Sequence, residues 1–271
     1  MGIEQQIIHH HRSIGYDIDS KGYVKNPENN LIADFPNWNL IKTELENGDG
    51  GELSIKDDRI KFCAVHSSSA LCVNNFAMVK HHKNNISLFG SSAFDVAQFE
   101  KKLSTGISTP NLDFYLRNDT SIIGIESKFT EILTPKLPNE NLEKYLTAKL
   151  EFPAGFNGVI EYYLNCTEKL HLDAAQLLKH MMGMFNEATE IKAGCKLCLI
   201  YLYWVPGNWK EIETYLKHEE ELKKFKEQIS GFSVKFEAYS YLDFWEILEK
   251  NEVLKKYIDK IKDRYWFDVL Y

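Results

Sequence analysis

The stretch from Thr109 to Lys128 constrains the fold of this chain more than any other part of it. It opens with Thr109-Pro110-Asn111-Leu112-Asp113 and closes with Gly124-Ile125-Glu126-Ser127-Lys128. Between them, apolar and β-branched residues flank a polar Asn118-Asp119 pair, which reads as strand, turn, strand. Asn-Asp suits a two-residue hairpin loop, although the favoured glycine is missing. With that loop, Arg117 pairs with Thr120, Tyr115 with Ile122 and Asp113 with Gly124. Side chains alternate along a strand, and directly opposite residues share a face. Asp113, Gly124, Glu126 and Lys128 then gather on one side. Leu112, Phe114, Leu116, Ile123 and Ile125 gather on the other, facing a core. Asp113 and Glu126 become diagonal neighbours, roughly 7–8 Å apart at the backbone. Gly124, opposite Asp113, leaves room for an ion and a phosphate. A one-residue change in loop length would undo the arrangement.

Two carboxylates that converge in this way suit a hard divalent cation such as Mg²⁺, which prefers oxygen ligands. An ammonium beside the ion can orient and help deprotonate a water aimed at a phosphodiester. The expected chemistry is metal-dependent cleavage of a nucleic acid.

The bulk numbers admit this reading without demanding it. A chain of 271 residues can bury a large core. With 44% hydrophobic and 26% charged residues it has the composition of an ordinary soluble globular protein. No apolar run reaches membrane-spanning length and the N-terminus has no signal-peptide profile, so no membrane association and cytoplasmic residence are expected. The net charge of −7 argues against promiscuous DNA binding. It argues less against a metal-assisted site, because a local cleft can differ in charge from the whole surface. Cys63, Cys72, Cys166, Cys195 and Cys198 are odd in number and scattered, which argues against a disulfide framework. Cys195 and Cys198 invite a zinc or redox reading, but on a strand thiols three apart diverge, and buried structural cysteines are expected.

Along the chain, residues 1–90 read as an irregular N-terminal elaboration packed on a core formed by residues 91–271. Short helices are expected at residues 3–13 and 37–46, with a turn at Gly48-Asp49-Gly50-Gly51. Later segments are more regular. A strand is expected at residues 94–102, then the hairpin, and helices at residues 142–150 and 171–187. The second of these helices carries Leu172, Ala175, Leu178, Met182 and Phe185 at helical spacing. Strands at 195–205 and 232–241 alternate with helices at 208–228, 242–250 and 252–263. This order predicts an α/β fold with a mixed sheet flanked by helices.

Pro110-Asn111-Leu112-Asp113 with Glu126-Ser127-Lys128 resembles the active-site signature of the PD-(D/E)XK nuclease superfamily, the restriction-endonuclease-like fold. In this chain Asn111 and Leu112 separate the proline from the aspartate. Further phrases are similar to those of a bacterial group of restriction endonucleases: Gly48-Asp49-Gly50-Gly51-Glu52-Leu53, His66-Ser67-Ser68-Ser69-Ala70-Leu71 and Phe99-Glu100-Lys101-Lys102. The resemblance implies a Mg²⁺- or Mn²⁺-dependent endonuclease acting on DNA. Asp113, Glu126 and the Ser127 carbonyl would bind the metal, with Glu100 as an additional acidic ligand. Lys128 would position water, and Gln176 would match a glutamine that many members carry after the Glu-x-Lys strand. Cutting both strands implies a homodimer.

Other readings stay open at this stage. The fold could carry a catalytically inactive nucleic-acid-binding or assembly module, or a nuclease for RNA or repair intermediates. Glu100 could be a surface charge. Gln176 and His180, one turn apart and on one face, could be ordinary helix residues. His9-His10-His11 and His81-His82 read as loop or helix-surface residues. The serines after His66 lack a glycine elbow and a positioned acid, so they read as a strand-to-loop cap near the cleft. The aromatic tail from Tyr239 to Phe267 reads as core or dimer contact, with base stacking a minor alternative.

Overall fold

The computed structural model describes residues 1–148, 155–191 and 194–270. Helices α1 (Ile3–Ser13), α2 (Trp38–Asn47) and α3 (Ser68–His81) occupy the first third of the chain. Two small hairpins accompany them, β1 (Ile55–Lys56) with β2 (Arg59–Ile60) and β3 (Ser87–Leu88) with β4 (Ser91–Ser92). The central sheet follows: β5 (Val96–Lys102), β6 (Asn111–Asn118), β7 (Ser121–Lys128), β8 (Lys196–Tyr203) and β9 (Val234–Ser240). Its strands lie in chain order, with antiparallel β5-β6-β7 and parallel β7-β8-β9 pairings. Helices α4 (Glu143–Thr147), α5 (Phe156–Leu164) and α6 (Ala174–Glu190) fall between β7 and β8. Helix α7 (Glu213–Gln228) falls between β8 and β9, and α8 (Tyr241–Glu249) and α9 (Glu252–Tyr265) close the fold. Residues 149 and 150 of the helix expected at 142–150 lie outside the described residues.

The expected mixed sheet flanked by helices is present. Helix α3 packs on β6 and β7, and α8 on β8 and β9. Helix α6 packs on β7, β8 and β9, and α7 on β9. Phe76 of α3 sits 4.7 Å from Phe114 of β6, while Tyr115 on the other face of β6 reaches Glu187 of α6. Strand β8 is apolar on both faces because helices cover both sides of it. No helix among the described residues is long and apolar enough to cross a membrane.

The hairpin register differs from expectation by two residues. Asn118 pairs with Ser121, Arg117 with Ile122 and Tyr115 with Gly124, so the loop is Asp119-Thr120. The cause is local: Asn118 Oδ1 accepts hydrogen bonds from the Thr120 and Ser121 amides at 3.0 and 2.8 Å. That side-chain bonding fixes Asn118 as the last strand residue rather than the first loop residue. An even displacement keeps every side chain of β7 on its expected face.

Helix α3 carried no periodic signal in the sequence, because nearly all its residues are buried and a helix enclosed on all sides has no polar face. Ser67 is its N-cap, accepting from the Ala70 amide at 3.2 Å, so the serine run starts a helix instead of capping a strand. His11 is also not a surface residue; it is fully buried. Cys195 and Cys198 are half-buried, free thiols rather than fully buried ones. The tail aromatics Tyr241, Phe244, Trp245 and Tyr265 are core residues, as read from the sequence, whereas Trp266 is exposed.

Helix α7 contributes a buried histidine with a measurable consequence. His218 lies 3.1 Å from the Tyr201 hydroxyl, and burial, helped by His171, lowers its pKa to about 3. Between that value and the ordinary 6.5, the unfolded chain binds a proton that the folded chain does not, so this contribution to stability is lost as pH falls. Glu100 and Asp113 shift upward and act in the opposite sense. The wild type and His218→Phe should therefore be compared at each pH. Urea unfolding from pH 8 to pH 5 should cost the wild type about 2 kcal/mol relative to the variant. Parallel pH profiles would show that His218 keeps a normal proton affinity in the fold.

Candidate active site

The acidic and basic residues of the hairpin meet where β6 begins and β7 ends. Gln98 pairs with Tyr115 and Lys101 with Leu112 across β5 and β6. Lys101 Nζ lies 5.5 Å from the Tyr115 ring centre and 3.2 Å from Glu187, which places Lys101, Leu112 and Tyr115 on the α6 side. A regular pleat would put Leu112 and Tyr115 on opposite faces. The ladder is interrupted between Phe99↔Phe114 and Lys101↔Leu112, at Glu100 and Asp113, and Glu100 has φ of +51°. The same register resumes on either side, so no residue is inserted, and the left-handed backbone at Glu100 breaks the ladder locally beside the site.

This local break accompanies two departures from expectation. Leu112 leaves the Phe114 face and packs beside Gly124, where an added Cβ would lie 2.7 Å from Leu112 Cδ1 and 2.8 Å from Met184 Sδ. Gly124 thus admits a helix and a leucine, not an ion. Asp113 faces neither Gly124 nor a ladder partner; its Oδ2 accepts the Ser127 amide at 2.6 Å.

Glu126, Lys128, Gln176 and His180 form one cluster. Lys128 Nζ donates to Glu126 Oε1 at 2.5 Å and to Gln176 Oε1 at 2.8 Å. His180 Nε2 stands 2.8 Å from Glu126 Oε2, but out of line for a hydrogen bond. Asp173 caps α6 by accepting the Gln176 amide at 3.1 Å, which sets the first turn against the end of β7. The 3.6-residue period then brings His180 onto the same face as Gln176. Ser127 points the other way, its hydroxyl 2.6 Å from that of Tyr241. Glu100 is buried and accepts a hydrogen bond from Asn111 Nδ2 at 3.2 Å.

Electrostatics divides these acids. Burial raises Glu126, but Lys128 and His180 outweigh it and hold the carboxyl at about 2. Burial, reinforced by Glu126, pushes Asp113 well above the usual carboxylate range. Glu100 is pushed up to about 7 by burial and by Glu52. Burial lowers Lys128, yet Glu126, Glu131 and Asp113 together raise it, so the ammonium persists.

All of these except His180 line a cavity of about 510 Å³. The sequence did not single out Glu52, Lys61, Lys136, Asp173 or Lys179 as site residues, although each lines the same cavity; Ser68 and Ser69, read as lying near the cleft, line it as well. The glycine-rich Gly48-Asp49-Gly50-Gly51 turn before Glu52 was the available signal. Seven carboxylates and four lysines line the cavity, so it carries surplus negative charge suited to a cation.

The donor set fits Mg²⁺ or Mn²⁺. Among the described residues no three His, Cys, Asp or Glu side chains converge to enclose an ion. Mg²⁺ is commonly held by one or two carboxylates together with waters and substrate phosphates, so a cage is not required. Glu126 Oε2 is buried without a hydrogen bond, and burial with neighbouring acids, Glu126 for Asp113 and Glu52 for Glu100, disfavours the charged forms of both. A divalent cation would relieve both conditions.

A five-stranded mixed sheet with helices on both faces, and Asp113, Glu126 and Lys128 at one end of its central hairpin, defines a protein of restriction-endonuclease-like fold. The sequence matches the family described as Restriction Endonuclease associating with ARP over residues 5–266, and the chain belongs to that family. Comparison with curated proteins and with solved structures gave no significant match.

Proposed function

We propose that this chain is a metal-dependent endonuclease that hydrolyses phosphodiester bonds in DNA, as a restriction endonuclease. The observation that carries the reading is Lys128, fixed between Glu126 and Gln176 at the wall of a cavity that also holds Asp113 and Glu100. Asp113, Glu126, the Ser127 carbonyl and Glu100 are the proposed ligands of Mg²⁺ or Mn²⁺. When bound, the ion supplies charge stabilisation at the phosphate and lowers the pKa of a coordinated water. Lys128 orients the attacking water and offsets charge developing on the phosphoryl oxygens. Gln176 holds the Lys128 ammonium in place, and His180 holds Glu126 from behind.

The family description names ARP as an associate, and a partner of that name belongs to the proposal. Cleavage of both strands calls for two sites, so a homodimer is proposed as well, with cytoplasmic residence. The test is Mn²⁺-dependent nicking of supercoiled plasmid, run beside single-stranded DNA and RNA. Wild-type protein should nick the plasmid, and Asp113→Asn should reduce the rate at least a hundredfold, because it removes one anionic ligand. Equal activity of the two proteins would remove Asp113 from the site. Preference for RNA would move the substrate to that polymer.

A further inference from the structure

The N-terminal segment carries a groove that the hairpin motif does not account for. Its volume is about 980 Å³, and Lys21, Lys25, Lys56, Arg59 and Lys61 line it together with three aspartates. Lys61 also lines the cleft that holds Asp113 and Glu126, so the groove adjoins that cleft. The two differ in charge: carboxylates are in surplus in the cleft and cations in the groove. In a chain of net charge −7, a cationic groove does not follow from bulk composition.

Local structure fixes the walls of the groove. The β1–β2 loop is Asp57-Asp58, both left-handed with φ of +52° and +60°, as a tight two-residue hairpin requires. Lys56 pairs with Arg59 across this hairpin, and directly opposite residues share a face. Arg59 lies 4.7 Å from the centre of the Tyr23 ring and 3.3 Å from Asp19, so that face meets residues 19–25. Asp19 also accepts the Lys21 and Tyr23 amides at 2.8 and 2.9 Å. The Val24 amide donates to the Cys63 carbonyl and the Val65 amide to the Gly22 carbonyl, each at 2.9 Å, which ties the segment to the chain just after Lys61. Arg59 and Lys61 are paired with Asp19 and Glu52. Lys21, Lys25 and Lys56 are exposed and form no ion pair among the described residues.

We infer that this groove is the surface on which the chain holds duplex DNA beyond the point of cleavage, with Lys21, Lys25 and Lys56 contacting backbone phosphates. The inference rests on the nuclease reading of the adjoining cleft. An acidic cleft repels a polyanion, so a substrate that must enter it needs attraction from a neighbouring surface. Lysines without counter-charges supply that attraction by releasing the counterions condensed on DNA. Contacts of this kind position the duplex and carry no sequence information, so the groove serves grip and orientation rather than choice of site. The N-terminal segment thereby becomes part of the substrate-binding apparatus.

The test is binding of the full chain to a fluorescein-labelled DNA duplex, read by anisotropy in EDTA over a series of salt concentrations. The triple variant Lys21→Gln, Lys25→Gln, Lys56→Gln should bind at least about tenfold more weakly at low salt, and its slope of log affinity against log salt should be smaller by about two to three. The comparison variant Lys255→Gln, Lys256→Gln, Lys260→Gln removes the same charge from exposed positions of α9 and should stay within about twofold of wild type. Wild-type affinity and slope in the groove variant would overturn the inference, as would an equal loss in both variants, which would make the effect one of net charge. A wild type that binds no duplex would overturn it too. Plasmid nicking with Mn²⁺ separates this surface from the chemistry. Nicking by a groove variant with wild-type affinity would sink the groove and leave the nuclease standing. A wild type that binds through the groove and never nicks would sink the nuclease and leave the groove standing.

Discussion

Lys128→Ala should nick plasmid about 10²–10³-fold more slowly than wild type at saturating Mn²⁺, the usual effect of removing one charge-stabilising donor from a preorganised site. The size of the effect follows from how completely Lys128 is held. Its ammonium sits between Glu126 at 2.5 Å and Gln176 at 2.8 Å, with Glu131 and Asp113 adding negative potential. Little reorganisation is then needed when charge develops on the phosphate. The substitution also strips Glu126 of the nearest cation, leaving His180 beside it. Part of the loss could come from a weakened fold, since a buried acid deprived of its partner is destabilising. Circular dichroism and Mn²⁺ binding separate the two effects. A folded variant that binds Mn²⁺ and nicks within tenfold of wild type would take Lys128 out of the chemistry.

Arg264→Ala should lower the free energy of unfolding by about 2–4 kcal/mol, from the cavity left by a large buried side chain and from buried acceptors that lose their donor. Arg264 lies in α9, is 1% exposed, and donates to the Tyr16 hydroxyl and the Asn30 carbonyl, each at 3.0 Å, and to Asn30 Oδ1. Asn30 is itself bonded to the Phe62 and Ala64 carbonyls, and Asn74 of α3 links Asn30 to the Tyr265 hydroxyl. Truncating Arg264 would leave a cavity and two buried acceptors short of a donor. Because the network joins residue 16 to residue 264, urea unfolding should remain a single transition when followed by both tryptophan fluorescence and far-ultraviolet circular dichroism. A loss below 1 kcal/mol would mean that water replaces the guanidinium. Two separated transitions would mean that the N-terminal ninety residues unfold on their own.

The strands and amphipathic helices of the C-terminal two thirds were legible because each buries one stripe or one face. Helix α6 shows this best, with Leu177, Leu178, Met181, Met182 and Met184 against the sheet and Glu187 and Glu190 toward its end. Helix α3 was not legible, because its surroundings bury its polar residues Asn74, Asn75 and Lys80 as well. Asn74 and Asn75 find partners from α9 and α8 in Tyr265 and Trp245, and Lys80 finds Glu44 of α2. No local pattern announces such contacts, which span tens to nearly two hundred residues.

The amino-acid order alone determined that Asp113, Glu126 and Lys128 would lie near the ends of adjacent antiparallel strands, because strand periodicity and turn chemistry act over a few residues. It also placed Gln176 and His180 on one helical face. The register was set locally too, by the Asn118 side chain bonding to the next two amides; tertiary structure decided the rest, including the break at Glu100 and Asp113 where Leu112 turns toward Met184. Docking of α6 brought Gln176 and His180 to the hairpin, and the Glu44–Lys80 pair anchored α2 so that Glu52 reaches the cleft. These last outcomes depend on which distant surfaces fill each other's space, and on where a buried charge finds its counter-charge, which neighbours in sequence do not specify.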